Sequence, residues 1–242
     1  MDDYDYFLKY LIIGASCSGK TQIFERYTEG KFDNISHITH PFDFYGKNVI
    51  INDKIYRIQI WDTSGREELQ SIIKGYYKRS TCILIVYDIT QRETFNNLES
   101  FIKNCEEYAH KTTYIVLVGN KADLEESREV SFEEGKEFAN KYGIEFYETS
   151  AKNGQNINEI FLNPAKEIDK RIFQGYYNFD DLECVIRQGL RKRKSGKIDI
   201  HQKNKNKNKI SLEKKEQSLE KNDKTKLENN LQFNILLKYL NY

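Results

Sequence analysis

The chain has 242 residues, with 38 lysines and arginines against 37 aspartates and glutamates, which gives a formal net charge of +1. This balance argues against a protein that coats nucleic acid, and we expect no nucleic-acid partner. The four cysteines, at positions 17, 82, 105 and 184, are widely spaced, which is typical of reduced intracellular thiols rather than of a disulfide framework.

The N-terminal stretch MDDYDYF is acidic and lacks the basic and apolar segments of a secretory leader, so we expect an intracellular protein. No apolar run approaches the ~18 residues that a membrane-spanning helix needs, and we expect no such span.

The first apolar run, Phe7–Ile13, predicts a strand and leads into GASCSGKT, from Gly14 to Thr21. This stretch has the G-x-x-x-x-G-K-[ST] phosphate-loop pattern. The glycines let backbone N–H groups turn toward phosphate oxygens, and a helix that begins near Lys20 adds the positive end of its dipole. We predict that Lys20 neutralises the β- and γ-phosphates and that the Thr21 hydroxyl binds Mg²⁺. Nucleotide-binding residues in this segment are predicted to be Gly14, Ala15, Ser16, Cys17, Ser18, Gly19, Lys20, Thr21 and Gln22. A plain turn between a strand and a helix is the alternative.

The next two apolar runs, Phe42–Ile51 and Ile55–Trp61, flank a short turn and predict an antiparallel hairpin. WDTSG, at Trp61–Gly65, closes the second run. We predict that Asp62 holds Mg²⁺ through a bound water and that the Gly65 N–H meets the γ-phosphate. Alone, an aspartate and a glycine after a strand are also typical of an ordinary turn.

The strand predicted at Cys82–Tyr87 is followed by residues with helical spacing and then by the strand Tyr114–Val118, which ends in VGNKAD. Asn120 and Asp123 of this motif are predicted to bind a purine edge, and Lys121 belongs to the same site. A carboxylate accepts hydrogen bonds from the N1–H and exocyclic amine of guanine, whereas adenine does not offer this pattern. The motif therefore favours GTP and GDP over adenine nucleotides, with an ordinary turn after the strand as the alternative.

The strand Ile144–Tyr147 leads into ETSAK, at Glu148–Lys152. We predict that the Ala151 N–H lies near guanine O6, with Ser150 and Lys152 beside it; a solvated loop is the alternative. Four motifs thus follow four predicted strands, and ligands of open α/β sheets bind at that edge. Alternating strands and helices predict a mainly parallel sheet with one antiparallel edge. The last helix is predicted at Ile157–Phe173, and Pro164 is expected to kink or interrupt it.

The composition changes after about residue 175, where RKRKSGK and HQKNKNKNK are basic and of low complexity. Such a segment buries too little apolar surface to offset its ordering entropy. We therefore predict a folded domain at residues 1–175 and a polar, partly basic, disordered tail at residues 176–242.

These motifs together make residues 6–174 resemble a Ras-like small GTPase, and the chain is most similar to the Rab family. The Rab-like segments are FDF at Phe42–Phe44, IQIWDT at Ile58–Thr63, YYK at Tyr76–Lys78 and LIVYDIT at Leu84–Thr90. The resemblance implies a P-loop NTPase (Ras-like) three-layer α/β sandwich, mostly parallel with one antiparallel edge strand and with helices on both faces.

The resemblance also implies roles for residues outside the nucleotide motifs. Thr39 would close on Mg²⁺ and the γ-phosphate, and Phe32 would pack on the guanine base; a core aromatic is the alternative for Phe32. Phe44, Trp61 and Tyr77 would form the aromatic surface that partner proteins read, with ordinary packing as the alternative for Tyr77.

Two residues depart from the family pattern at the phosphate site. We predict that the catalytic residues are Lys20, Gly65 and Arg66. Arg66 stands where the family has the glutamine that orients the attacking water, so we expect slow hydrolysis. A built-in arginine finger is the alternative. Cys17 stands where small GTPases mostly have glycine, which predicts backbone strain if φ is positive there. A redox-sensing role is the alternative for Cys17.

As implied by the family, we expect a monomeric Rab-type switch that binds GTP or GDP with Mg²⁺, hydrolyses GTP and regulates vesicle trafficking. Effectors, an exchange factor and a GTPase-activating protein would be its partners. A persistently GTP-bound binding module and a P-loop kinase are the alternatives. No cysteine follows Cys184, so we expect the usual prenyl anchor to be missing. The basic block Arg191–Lys194, with Lys197, predicts at most weak membrane contact, and a solvated tail is the alternative. We expect a cytoplasmic location, peripheral on endomembranes.

Overall fold

The structure, a computed structural model, describes residues 4–33, 42–63, 70–181 and 183–189. The strands are β1 (Tyr6–Gly14), β2 (Phe42–Ile51), β3 (Lys54–Thr63), β4 (Cys82–Asp88), β5 (Tyr114–Asn120), β6 (Glu145–Glu148) and β7 (Arg187–Gln188). The helices are α1 (Lys20–Glu29), α2 (Gln70–Tyr77), α3 (Arg92–Asn96), α4 (Leu98–Tyr108), α5 (Phe132–Tyr142) and α6 (Glu159–Phe173).

One sheet runs through the domain in the order β2-β3-β1-β4-β5-β6. β1, β3, β4, β5 and β6 are parallel, and β2 pairs with β3 in the antiparallel sense. The predicted mostly parallel sheet with one antiparallel edge is therefore confirmed. Because parallel strands end at the same edge, the C-terminal ends of β1, β3, β5 and β6 are brought together there.

Helices cover both faces of this sheet, because alternate residues of each central strand point to opposite sides. On one face, Tyr10, Ile12 and Leu84 pack with apolar residues of α1 and α6. On the other, Leu11 and Ile83 pack with apolar residues of α2, α4 and α5. The three-layer architecture is thus confirmed, with β4 buried along its whole length. No helix in the described ranges is long and apolar enough to cross a bilayer.

The last helix is continuous from Glu159 to Phe173 although it contains Pro164. The expected interruption is wrong, since proline costs one backbone hydrogen bond while buried residues on both sides, such as Phe161 and Ala165, fix the helix against the sheet. Tertiary packing outweighs this local penalty.

The packed part of the chain extends past the expected boundary at residue 175. Tyr177, Val185 and Ile186 are buried in the core on the α1–α6 face. β7 pairs antiparallel with Tyr6 and Phe7 of β1, beside the part of β1 that precedes its pairing with β4. The tail predicted to begin at residue 176 is therefore placed too early, and folded chain reaches Gly189. Residues 190–242, with the basic block, lie outside the described residues.

Candidate nucleotide site

The loop between β1 and α1 depends on two glycines. Gly14 has a φ of 146°, and a Cβ there would lie 2.1 Å from the Val86 carbonyl oxygen. Gly19 has a φ of 87°, and a Cβ would lie 2.3 Å from the Asn120 amide nitrogen. Both positions exclude side chains, so the loop can lie against the ends of β4 and β5. Gly19 is also the N-cap of α1, and the N-terminal amides of this helix can therefore donate to an anion.

Cys17 lies in the same loop with a φ of 61° and an exposed side chain. This left-handed conformation costs an ordinary residue about 1 kcal/mol or more relative to glycine. The condition for backbone strain at Cys17 is thus met.

Lys20 is 5% exposed and lies inside the loop. Its Nζ donates to the Gly14 carbonyl at 3.0 Å and to the Ala15 carbonyl at 2.7 Å. Burial lowers the pKa of Lys20 to about 8, and the nearby Asp62 carboxylate opposes this shift. A buried ammonium held by neutral carbonyls is stabilised when an anion enters beside it, so the loop fits a phosphate group.

Thr21 and Asp62 meet at the start of α1 and the end of β3. The Thr21 hydroxyl donates to Asp62 Oδ2 at 2.7 Å, and Asp62 is fully buried. Thr63 donates to the Ile12 carbonyl at 2.7 Å and fixes the end of β3 against β1. A hydroxyl and one carboxylate are hard oxygen donors, which Mg²⁺ uses together with substrate phosphates. This donor set fits the implied Mg²⁺, whereas no cluster of three or more His, Cys, Asp or Glu suited to a metal exists in the described ranges.

Asn120 joins the end of β5 to the phosphate loop. Its side-chain amide donates to the Ser18 carbonyl at 3.0 Å, and its oxygen accepts from the Thr149 hydroxyl at 3.2 Å. Asn120 and Thr149 are almost fully buried. The base-recognition motif and the phosphate loop are therefore held in a fixed relation.

Asp123 is positioned by the loop after β6. Asp123 Oδ1 accepts from the Ser150 hydroxyl at 2.6 Å, and Lys152 Nζ lies 3.9 Å from Asp123 Oδ2. Ala151 is buried between these residues. A carboxylate fixed in this way is pre-organised to accept from two neighbouring N–H groups, as a guanine edge presents them. Lys121, in contrast, pairs with Asp88 at 2.5 Å.

Two arginines support the site without belonging to any of its motifs. Arg26 of α1 donates to the Lys152 carbonyl at 3.0 Å. Arg128 makes two hydrogen bonds to Glu148, at 2.7 and 2.9 Å, and so ties the segment after Asp123 to the end of β6. The sequence contains no signal for either residue, because their partners lie far along the chain.

The aromatic surface consists of Phe44, Trp61 and Tyr76. The ring centroids of Phe44 and Trp61 are 5.1 Å apart, and those of Trp61 and Tyr76 are 5.0 Å apart. The prediction that Tyr77 belongs here is wrong: Tyr77 is 4% exposed and packs in the core with α4. Neighbouring residues of a helix point about 100° apart, so only one of the two tyrosines can reach Trp61.

The other predicted residues can be placed only in part. Phe32 is half-buried and packs against the core on the α1–α6 face. The Gln22 side chain accepts from the Asp33 N–H at 3.2 Å. Thr39, Gly65 and Arg66 lie outside the described residues, so their roles stay predictions.

Comparison with known protein families decides the wider classification. The sequence profile of the Ras family matches residues 9–170, which contain all four motifs of the site. The chain belongs to the Ras family. It is accordingly a small GTPase, a nucleotide-binding switch of the class that binds GTP and GDP and works with effectors, exchange factors and activating proteins.

Proposed function

We propose that this Ras-family GTPase is a Rab-type switch that requires Mg²⁺, hydrolyses GTP slowly and regulates vesicle trafficking. One observation supports nucleotide binding: the fold brings two groups of residues into one site. Lys20, Thr21 and Asp62 lie at its phosphate end, and Asn120 and Asp123 lie at its base end. The Rab-type part is supported by the aromatic surface of Phe44, Trp61 and Tyr76, whose residues fall in the Rab-like segments.

The residues of the site divide the work. Lys20 supplies positive charge to the phosphates, and the amides at the start of α1 donate to their oxygens. Thr21 and Asp62 would hold Mg²⁺, which when bound neutralises negative charge on the phosphates. Asp123 and Asn120 select guanine. Loss of the γ-phosphate would release the segments that contain Thr39 and Gly65, and the partner protein bound at the aromatic surface would change.

Slow hydrolysis follows from the chemistry of Arg66. A guanidinium has five donors and no acceptor, so it cannot accept a hydrogen bond from the attacking water as glutamine does. For the same reason a persistently GTP-bound binding module is the second candidate function. A P-loop kinase is disfavoured by the arrangement of Asn120 and Asp123, which fits guanine.

Single-turnover hydrolysis tests this proposal. Wild type, Arg66→Gln and Arg66→Ala are each loaded with GTP, and phosphate release is followed. We expect Arg66→Gln to be about tenfold faster than wild type, which corresponds to about 1.4 kcal/mol of barrier. Arg66→Ala removes the guanidinium without supplying an acceptor and should bring no such gain. A slower Arg66→Gln would mean that the arginine is itself catalytic, and no measurable hydrolysis by wild type would favour the binding module.

We further propose a cytoplasmic location with weak peripheral contact to endomembranes through the basic block Arg191–Lys194. Each basic residue near an anionic surface contributes about 1 kcal/mol. Flotation with phosphatidylserine vesicles at low and high salt tests this, and we expect binding that high salt removes.

A further inference from the structure

Lys9 of β1 is a half-buried cation in contact with the aromatic surface. Its Nζ lies 4.2 Å from the centroid of the Tyr76 ring and 5.0 Å from that of Trp61. Burial, together with the positive charges of Arg79 and Arg187, lowers the pKa of Lys9 to about 8. Within the described ranges Lys9 forms no ion pair with a carboxylate. A carboxylate that enters beside this ammonium would form a charge-assisted hydrogen bond with it, so the position fits an incoming anion.

Lys9 and Tyr76 also line a cleft of about 930 Å³ between the C-terminal ends of α2 and α4. The cleft wall carries five lysine or arginine side chains against three carboxylates. One of these carboxylates, Glu183, is already paired with Lys78 at 2.9 Å. Arg79, like Lys9, forms no ion pair with any described carboxylate. The cleft therefore has an excess of positive charge: among its described residues Lys74, Arg79 and Lys111, like Lys9, form no ion pair with a carboxylate, and Lys9 is the half-buried member of this set.

The cleft is continuous with the aromatic surface, since Tyr76 belongs to both. A partner seated on Phe44 and Trp61 thus has the cleft directly beside it. Apolar and aromatic contacts anchor a protein interface, and complementary charge at its border determines which partner fits.

We propose that the partner protein that docks on the aromatic surface places an acidic peptide segment in this cleft, with a carboxylate on Lys9 and Arg79. This inference rests on the proposed function, because it assumes a partner that reads the switch. It adds the chemistry of that partner, which would have apolar residues on the aromatic surface and, next to them, aspartate or glutamate in the cleft. Lys9 is then the residue that couples the two parts of the interface.

The probe for this proposal is a short fluorescein-labelled glutamate oligomer, with a serine oligomer of the same length as the neutral control. The full-length protein, loaded with a non-hydrolysable GTP analogue, is titrated as wild type and as Lys9→Gln, Arg79→Gln and Lys166→Gln. Lys166 is an exposed lysine of α6 away from the cleft, so its substitution makes the same change in net charge. Arg79 is exposed, so Arg79→Gln tests the cleft even if Lys9→Gln impairs folding.

We expect the glutamate oligomer to bind wild type and Lys166→Gln alike, and to bind Lys9→Gln and Arg79→Gln about tenfold more weakly, as for the loss of one partner of a charge pair. Equal weakening in all three variants, or no binding to wild type, overturns the proposal. The proposal is also overturned if wild type binds phosphatidylserine vesicles more tightly than the glutamate oligomer and if Lys9→Gln and Arg79→Gln lose this vesicle binding, because the cleft would then be a lipid site. The amount of bound GTP analogue is measured in each sample. If wild type holds no guanine nucleotide, the proposed function is wrong. If the protein is loaded with the GTP analogue but the three variants bind the glutamate oligomer with equal affinity, only the docking inference is wrong.

Discussion

Asn120 and Ser18 lie 102 residues apart in the chain, yet the side-chain amide of Asn120 donates to the Ser18 carbonyl at 3.0 Å. This hydrogen bond holds the phosphate loop against the base-recognition motif and joins two parts of the protein itself. We therefore predict that Asn120→Ala lowers the free energy of unfolding of the nucleotide-free protein by about 1–3 kcal/mol, because buried hydrogen bonds are lost. Chemical denaturation measures this.

The control for Asn120 is Asn163→Ala. Asn163 of α6 donates to the Tyr147 hydroxyl at 3.2 Å, away from the nucleotide site. Asn163→Ala should therefore leave the rate of GDP dissociation unchanged. Asn120→Ala should accelerate GDP dissociation. Equal dissociation rates in the two variants would contradict the role assigned to Asn120.

Cys17→Gly should stabilise the protein, because Cys17 has a φ of 61°. Relief of the left-handed strain outweighs the extra entropy of glycine in the unfolded chain, and we expect a net gain of about 0.5–1 kcal/mol. Cys17→Ala is the matched control, since alanine removes the thiol but keeps the strain. Denaturation of both variants in excess GDP gives the comparison, and equal stability of glycine and alanine at this position would refute the strain.

Truncation separates the folded C-terminal segment from the residues that follow it. A chain that ends at Gly189 keeps Val185 and Ile186, which are 5% and 2% exposed, and the hydrogen bond from the Thr81 hydroxyl to the Val185 carbonyl. A chain that ends at Tyr177 loses them and should be less stable by about 3 kcal/mol or more, given about 1.5–3 kcal/mol for each buried aliphatic side chain.

The Gly189 truncation should bind GDP as the full-length chain does. Thermal unfolding of the two truncated proteins and the full-length chain, each with excess GDP, tests both expectations. Equal stability of the two truncations would show that residues 178–189 contribute nothing to the domain.

Nucleotide affinity should depend on pH through Lys20. Burial lowers the pKa of Lys20 to about 8, and a phosphate bound beside it would raise this pKa because it favours the charged amine. Binding therefore takes up protons near pH 8, and affinity is constant below that pH and declines above it. Calorimetric titration with GDP in two buffers of different ionisation enthalpy counts the protons. Proton release, or an affinity that rises above pH 8, would be inconsistent with this assignment.

Much of the fold follows from local sequence patterns. The strand runs that precede the four motifs are rich in apolar residues, and the bounds of the observed β1, β3, β5 and β6 agree with them to within two residues. The edge hairpin was visible because Asn52 and Asp53, both with positive φ, are residues that tolerate such a turn.

The remaining features depend on contacts between distant parts of the chain. Tyr177, Val185 and Ile186 belong to YYNFDDLECVI, a short stretch between the last predicted helix and the basic segment. Their burial in the core is what assigns them to the folded domain. Which of Tyr76 and Tyr77 faces Trp61 depends on how α2 is rotated about its axis. Two adjacent tyrosines in the sequence do not reveal that rotation. The roles of Arg26 and Arg128 likewise appear only when the loops that they connect are folded together.

The most direct test of a guanine-specific switch is nucleotide selectivity at Asp123, whose carboxylate is held by Ser150. Wild type and Asp123→Asn are stripped of nucleotide, and the affinities for GDP, ADP and xanthosine diphosphate are measured with Mg²⁺ present. We predict that wild type selects GDP, and that Asp123→Asn weakens GDP about tenfold or more and improves xanthosine diphosphate, because charged hydrogen bonds are worth about 1.5–3 kcal/mol each. Equal binding of GDP and ADP by wild type, or no change in selectivity in Asp123→Asn, would contradict the account.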